Sequence, residues 1–366
     1  MLLSMTVSVR SFAKINLGLA IGPKRAEGFH DLRTVYQTIG LHDVLRLRVQ
    51  KGSGIEIVCA DPRVPTDETN TCYRILERAM VVLKATGRVS LAIEKRLPVQ
   101  GGLGGASGNA VAALIALEGA LKRKISGAER LRIAADVGSD LPLFLVGGTV
   151  LGVGRGEEVY PLPDLPAMPC VVATPEIGVS TPKAFADWDA AVEKPAELRS
   201  GQAPEAVRAH VNRAEIGSHG PRDSVPPPKL TGAQPSDRML ELGRVFSSWL
   251  SGVPGKNGER QSGVPAKGRG RAETLLLDLV RTGIENDFEK VVFPQHPELR
   301  DVKRALERAG AVYASLSGSG SAVYGLFKSK IAAEKAAKRL RSEGVPALAT
   351  VTLTRAQYWM RFRVSG

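Results

Sequence analysis

Residues 94–109, Glu-Lys-Arg-Leu-Pro-Val-Gln-Gly-Gly-Leu-Gly-Gly-Ala-Ser-Gly-Asn, constrain this chain more than any other stretch. Ahead of them, Val89-Ser90-Leu91-Ala92-Ile93 alternates and carries β-branched residues, which predicts a strand. Behind them, Ala110 to Glu118 consists of strong helix formers. Five glycines within the eight residues 101–108 exceed what a plain strand-to-helix turn requires. Glycines let successive backbone N–H groups turn inward, and a helix N-terminus adds partial positive charge, so the loop suits a polyphosphate. No Gly-Lys-Ser/Thr closes it, which excludes a Walker loop. The dinucleotide fingerprint also fits poorly, because the frame Gly102 to Ser107 lacks its last glycine and no acidic residue follows where a ribose needs one.

A chain of 366 residues, 43% of them hydrophobic, suits one large or two medium domains. No apolar run reaches membrane-spanning length, and residues 1–7 lack a signal-peptide pattern. Cys59, Cys72 and Cys170 are far apart, which argues against structural zinc or disulfides and for a reducing, cytoplasmic setting. The net charge of +13 would suit a polyanion. Much of it is local, since residues 194–271 hold thirteen Lys/Arg against seven Asp/Glu. That segment is rich in Pro, Gly and Ser and is predicted to be a mobile insert around one helix, 237–250. With aromatics at 5%, a nucleic-acid binder is the weaker reading, because it would need a basic, aromatic-bearing ordered face.

Val7 to Leu19 alternates like a strand, placing Phe12, Lys14 and Asn16 on one face. In isolation such a polar pair reads as solvated. A turn over Gly22 to Gly28 leads to a second strand, Phe29 to Ile39, so Lys14 and Asn16 either share a site with Phe29 and His30 or the Phe-His pair is strand-end packing. Leu45 to Val49 and Gly54 to Cys59 predict strands, and Asn70 to Leu83 and Ala128 to Val137 predict helices. Asp140 precedes an apolar run, as an N-cap or as an acid held at a water-poor site. Gly147 to Gly156 reads as a glycine-rich strand and turn.

Five separated stretches resemble the GHMP kinases: Ala13-Lys14-Ile15-Asn16-Leu17, Arg25 to His30, Lys95 to Asn109, Gly138-Ser139-Asp140-Leu141-Pro142 and Leu316 to Ser321. The Gly28-Phe29-His30 turn, together with Asn286-Asp287-Phe288-Glu289, narrows the resemblance to the branch acting on a cytidine diphosphate conjugate of methylerythritol in isoprenoid precursor synthesis. The resemblance implies a two-domain α/β (α+β) fold, with a ribosomal-protein-like N-terminal domain (1–165, phosphate loop 97–109) and a C-terminal α/β sandwich (166–366, insert 194–271). The site lies in the cleft between them. It further implies ATP with Mg²⁺, transfer to the 2-hydroxyl of a small-molecule substrate, and neither nucleic acid nor membrane as partner, and it leaves a homodimer open.

By the same resemblance, Lys14 and Asp140 are catalytic, the aspartate as base and the lysine as charge stabiliser. Asn70, Pro98, Gly101, Gly102, Leu103, Gly104, Gly105, Ala106, Ser107, Gly108 and Asn109 surround ATP. Asn16, His30 and Thr181 hold the substrate, with Phe29, Tyr36 and Phe185 around its cytosine. The usual loop continues Gly-Gly-Gly-Ser-Ser; here Ala106 replaces a glycine and Gly108 the second serine, leaving Ser107 as the loop hydroxyl for Mg²⁺. A mevalonate- or homoserine-kinase type is the alternative within the family, but it gives no reason for the Phe29-His30 turn.

Overall fold

The structure is a computed structural model and describes residues 6–99, 101–193 and 285–364. The expected insert 194–271 with its helix 237–250, and Gln100, lie outside the described residues.

Strands β1 (Val7–Lys24) and β2 (His30–Gln50) form a long antiparallel hairpin. Two separate strands were expected over 29–39 and 45–49. They merge because β1 pairs with β2 across both spans, from Val7 opposite Leu47 to Lys24 opposite His30. Antiparallel β4 (Arg88–Glu94) and β5 (Thr149–Val153) continue the sheet from the two halves of β2. Strand β3 (Ile55–Cys59) adds in parallel beside β4, and β6 (Glu158–Pro161) adds beyond β5. A second, four-stranded antiparallel sheet has the order β10 (Ala347–Val351), β7 (Pro169–Ala173), β9 (Val323–Leu326), β8 (Tyr313–Leu316).

Side-chain alternation sorts the layers. In β7, Cys170 and Val172 join a core with Ala13, Ile15 and Leu17 of β1, so the two sheets meet face to face. Val171 and Ala173 point the other way, into a core with helices α5 (Thr181–Glu193), α6 (Glu289–Gln295), α7 (Pro297–Arg308) and α8 (Lys330–Ser342). The far face of the first sheet is covered by α1 (Thr71–Val82), α2 (Gly105–Leu121), α3 (Gly127–Val137) and α4 (Leu141–Val146), with α9 (Arg355–Phe362) adding Tyr358 and Phe362. The α2 helix is almost wholly apolar and buried on every side, which explains its run of alanines: small residues let it lie against β1 and α1 at once. Among the described residues, no helix is long and apolar enough to cross a membrane.

Candidate active site

The glycine loop is built from both sides. Buried Asp43 of β2 clamps its entry, accepting from Lys95 Nζ, Arg96 N and Leu97 N at 2.7 Å each, and from Asn109 Nδ2 of α2 at 3.0 Å. Leu97 and Leu103 seat the loop in the core between the sheets, and Leu103 O accepts from Lys14 N at 3.0 Å. From the second sheet, the turn after β8 reaches across: Ser317 Oγ donates to Gly102 O at 2.9 Å, and Ala322 N to Gly101 O at 3.1 Å. The approach is so close that a Cβ on Gly102 would overlap Ser317 O, so only glycine fits there. Asn286 holds that turn, donating through Nδ2 to Leu316 O at 2.9 Å and Gly318 O at 2.7 Å.

Two cavities flank the loop and both are lined by Gly102. The smaller, of about 380 Å³, is lined by all the residues expected around ATP, from Asn70 and Pro98 to Asn109, except Gly108. Asn70 is the N-cap of α1 and accepts from Cys72 N at 2.8 Å. Ala106 and Ser107 lie in the first turn of α2, a helical conformation that accepts alanine readily. Gly108 faces β1 instead. Its N–H donates to Gly104 O at 2.8 Å, and a Cβ there would come 2.9 Å from Phe12 O. Gly108, expected among the ATP contacts, is thus placed by the fold in the close packing of α2 on β1.

The larger cavity, of about 620 Å³, brings together Lys14, Asn16, Phe29, His30, Tyr36, Asp140, Thr181 and Phe185. Lys14 and Asn16 are 3% and 1% exposed, so the solvated-face reading fails. Lys14 Nζ donates to Asn16 Oδ1 at 2.7 Å and lies 3.5 Å from Asp140 Oδ2. Asn16 Nδ2 in turn donates to Thr34 Oγ1 at 2.7 Å, so Asn16 braces the lysine. Burial pulls the Lys14 ammonium below the usual lysine range, while Asp140 pulls it back up. Asp140 sits at the N-cap position of α4 yet makes no capping hydrogen bond; its carboxylate is turned to the cavity, where Oδ1 accepts from Tyr36 OH at 3.0 Å.

At the far end, the His30 ring stacks on Phe185, with centroids 5.2 Å apart and planes 7° off parallel. Phe29 is half exposed, with the Arg155 guanidinium 4.9 Å from its ring centre. Thr181 Oγ1 shares a 2.7 Å hydrogen bond with Ser319 Oγ. Tyr36, expected beside the cytosine, lines the same cavity. It lies opposite Asn16 in the hairpin, which aims its hydroxyl at Asp140.

Comparison with known proteins agrees with this geometry. Residues 70–148 match the N-terminal domain of GHMP kinases and 271–346 match their C-terminal domain. The 4-diphosphocytidyl-2-C-methyl-D-erythritol kinase of Solibacter usitatus is 33% identical over 355 residues, covering 96% of this chain and 92% of that protein. The chain belongs to the GHMP kinase family. The kinase of the same name from Acaryochloris marina is 30% identical over 336 residues, covering 92% and 91% of the two chains. Among solved GHMP kinase folds, a 4-(cytidine 5'-diphospho)-2C-methyl-D-erythritol kinase superposes with a TM-score of 0.63 at 24% identity, covering 94% of this chain and 98% of the other. The homoserine kinase of Cytophaga hutchinsonii reaches 0.62 at 18% identity, covering 95% of each chain, so the fold alone does not separate branches.

Sequence reasoning missed Asp43 and Asp189 in this GHMP kinase. Asp189 Oδ2 accepts from Lys24 Nζ at 2.7 Å, and its Oδ1 lies 2.8 Å from His30 Nε2, off the line of a hydrogen bond. One signal could have found it: Asp189 follows Phe185 by four residues, one turn along the same helix face. Nothing in the sequence marks Asp43, whose role exists only once β2, the loop and α2 have met.

Proposed function

We propose that this chain is a 4-diphosphocytidyl-2-C-methyl-D-erythritol kinase, transferring the γ-phosphoryl of ATP to the 2-hydroxyl of its substrate in isoprenoid precursor synthesis. The observation carrying this reading is that the two cavities meet at Gly102, with the Lys14–Asp140 pair on the substrate side. The nucleotide occupies the smaller cavity, its phosphates against backbone N–H groups of the loop and the N-terminus of α2. The Asp140 carboxylate takes the proton of the substrate hydroxyl. That oxygen bonds the γ-phosphorus as the bond to the β–γ bridging oxygen breaks, and ADP leaves. Lys14 offsets negative charge on the transferring group, strengthened by its burial. Mg²⁺ keeps most of its waters and takes few protein oxygens, so the Ser107 hydroxyl of the loop, which lines the nucleotide cavity, fits it. When bound, the ion neutralises charge on the phosphates.

Cytosine selectivity follows from His30 and Asp189. The carbonyl Gly22 O lies 3.1 Å from His30 Nδ1 and can only accept, so Nδ1 carries a hydrogen and the ring is held with Nε2 toward Asp189. Beside it stands the Asp189 carboxylate. That carboxylate lines the larger cavity and accepts, so it calls for a donor, which the exocyclic amine of cytosine supplies and the carbonyl of uracil does not. A phosphoryl-transfer assay with ATP and Mg²⁺ over the cytidylyl substrate, mevalonate, homoserine and galactose tests the assignment. Turnover is expected for the first alone; comparable kcat/KM for mevalonate or homoserine would move the chain to another branch.

A further inference from the structure

Tyr36 lines the larger cavity, and its hydroxyl makes a contact that base stacking alone does not call for. It stands in β2 between Asn16 of β1 and Val150 of β5, with its ring fully buried. Two glycines of the 147–156 stretch make its niche. A Cβ on Gly152 would fall 2.5 Å from Tyr36 Cε2, and one on Gly156 would fall 2.6 Å from the hydroxyl. Those glycines had no role in the reading of the loop as a strand and turn; here they clear a path for one phenol to reach one carboxylate. At its end, the hydroxyl donates to Asp140 Oδ1 at 3.0 Å, and Lys14 Nζ stands 5.6 Å from the ring centre. Asp140 makes no capping bond to α4, so its orientation depends on these two neighbours. Burial holds the phenol well above its ordinary pKa, so it stays protonated and can only donate to the carboxylate.

We propose that Tyr36 is a positioning residue for phosphoryl transfer: its hydroxyl, seated in the niche left by Gly152 and Gly156, pins Oδ1 of Asp140 so that Oδ2 faces Lys14 and the substrate hydroxyl. The proposal rests on the reading of Asp140 as the base. A carboxylate fixed on one oxygen cannot swing toward solvent, and small misplacements of a catalytic group are costly in rate.

The test compares full-length wild type, Tyr36→Phe, Asp140→Asn and the double variant in steady-state kinetics with ATP, Mg²⁺ and the cytidylyl substrate. Tyr36→Phe keeps the ring and its packing, so its melting temperature is expected to match wild type. Its kcat is expected to fall roughly tenfold, the scale of one hydrogen bond to a charged group, with both KM values within about twofold. In the Asp140→Asn background, Tyr36→Phe is expected to cost nothing further, because the hydroxyl acts through the carboxylate. Gly156→Ala crowds the hydroxyl from the other side and provides a second variant, expected to lower kcat with KM retained. Wild-type kcat in Tyr36→Phe, or a raised KM for the cytidylyl substrate at unchanged kcat, would overturn the proposal. So would an undiminished tenfold loss in the Asp140→Asn background. Near-normal turnover by Asp140→Asn alone would instead overturn the base assignment on which it rests.

Discussion

Lys14, the proposed charge stabiliser, works against the fold around it. Its ammonium is buried, which lowers its proton affinity, and Asp140 recovers only part of that loss. Two consequences follow. Activity that needs the charged lysine is lost as pH rises through its lowered value, so the alkaline limb of the kcat–pH profile is expected below pH 10.5. The unfolded chain binds this proton more tightly than the folded one, so between the lowered folded value and the unfolded value stability rises with pH, and at neutral pH the buried charge is a cost. Lys14→Met is therefore expected to lose kcat by orders of magnitude while melting no earlier than wild type; an early-melting variant would make Lys14 a structural residue. At the base end, His30→Ala and Asp189→Asn are expected to erode the preference for the cytidylyl over the uridylyl substrate, which should be on the order of 100-fold in kcat/KM for wild type. Phe29→Ala should weaken both substrates alike, since stacking does not read the base edge. Equal kcat/KM for the two substrates in wild type would contradict the role given to His30 and Asp189.

Between elements, the decisive contacts join two glycine-rich turns that the sequence shows separately. The strand–loop–helix at 89–118 was legible because periodicity, glycine density and helix propensity all agree there. The docking of the Ser317–Ser321 turn on Gly101 and Gly102 was not, because it depends on one sheet meeting another. The Asn286 segment is explained the same way. Asn286 holds the turn, Asp287 Oδ2 accepts from Ile21 N at 2.9 Å, and Glu289 Oε1 accepts from Leu316 N at 2.9 Å. Asn286→Ala would leave Leu316 O and Gly318 O without this donor in a buried setting, at a cost of about 2 kcal/mol. Thermal melting of that variant is expected several degrees below wild type, with KM for ATP raised because the turn no longer braces the loop. Unchanged melting and unchanged KM would remove Asn286 from the support of the site.

Across the whole molecule, the two sheets face each other and the site forms at their shared end, where both cavities open beside Gly102. That arrangement explains which residues a linear reading finds. Lys14, Asn16, His30 and Asp140 sit in short motifs, so their types and order were visible. Their burial was not: on a strand, Lys14 and Asn16 look solvated until the glycine loop, Asp140 and the turn after β8 close over them. Tyr36 was visible as an aromatic, but its partner is set by the register that brings it opposite Asn16. We place the chemistry at Asp140, between a nucleotide held by the loop and a hydroxyl held in the larger cavity. The most direct measurement is single-turnover phosphoryl transfer by Asp140→Asn, alongside equilibrium binding of ATP and the cytidylyl substrate. The expected rate is lower by about 100-fold to 10,000-fold, the range for a lost general base, with both dissociation constants within about threefold of wild type. A near-normal rate, or a rate loss matched by an equal loss of substrate affinity, would contradict it.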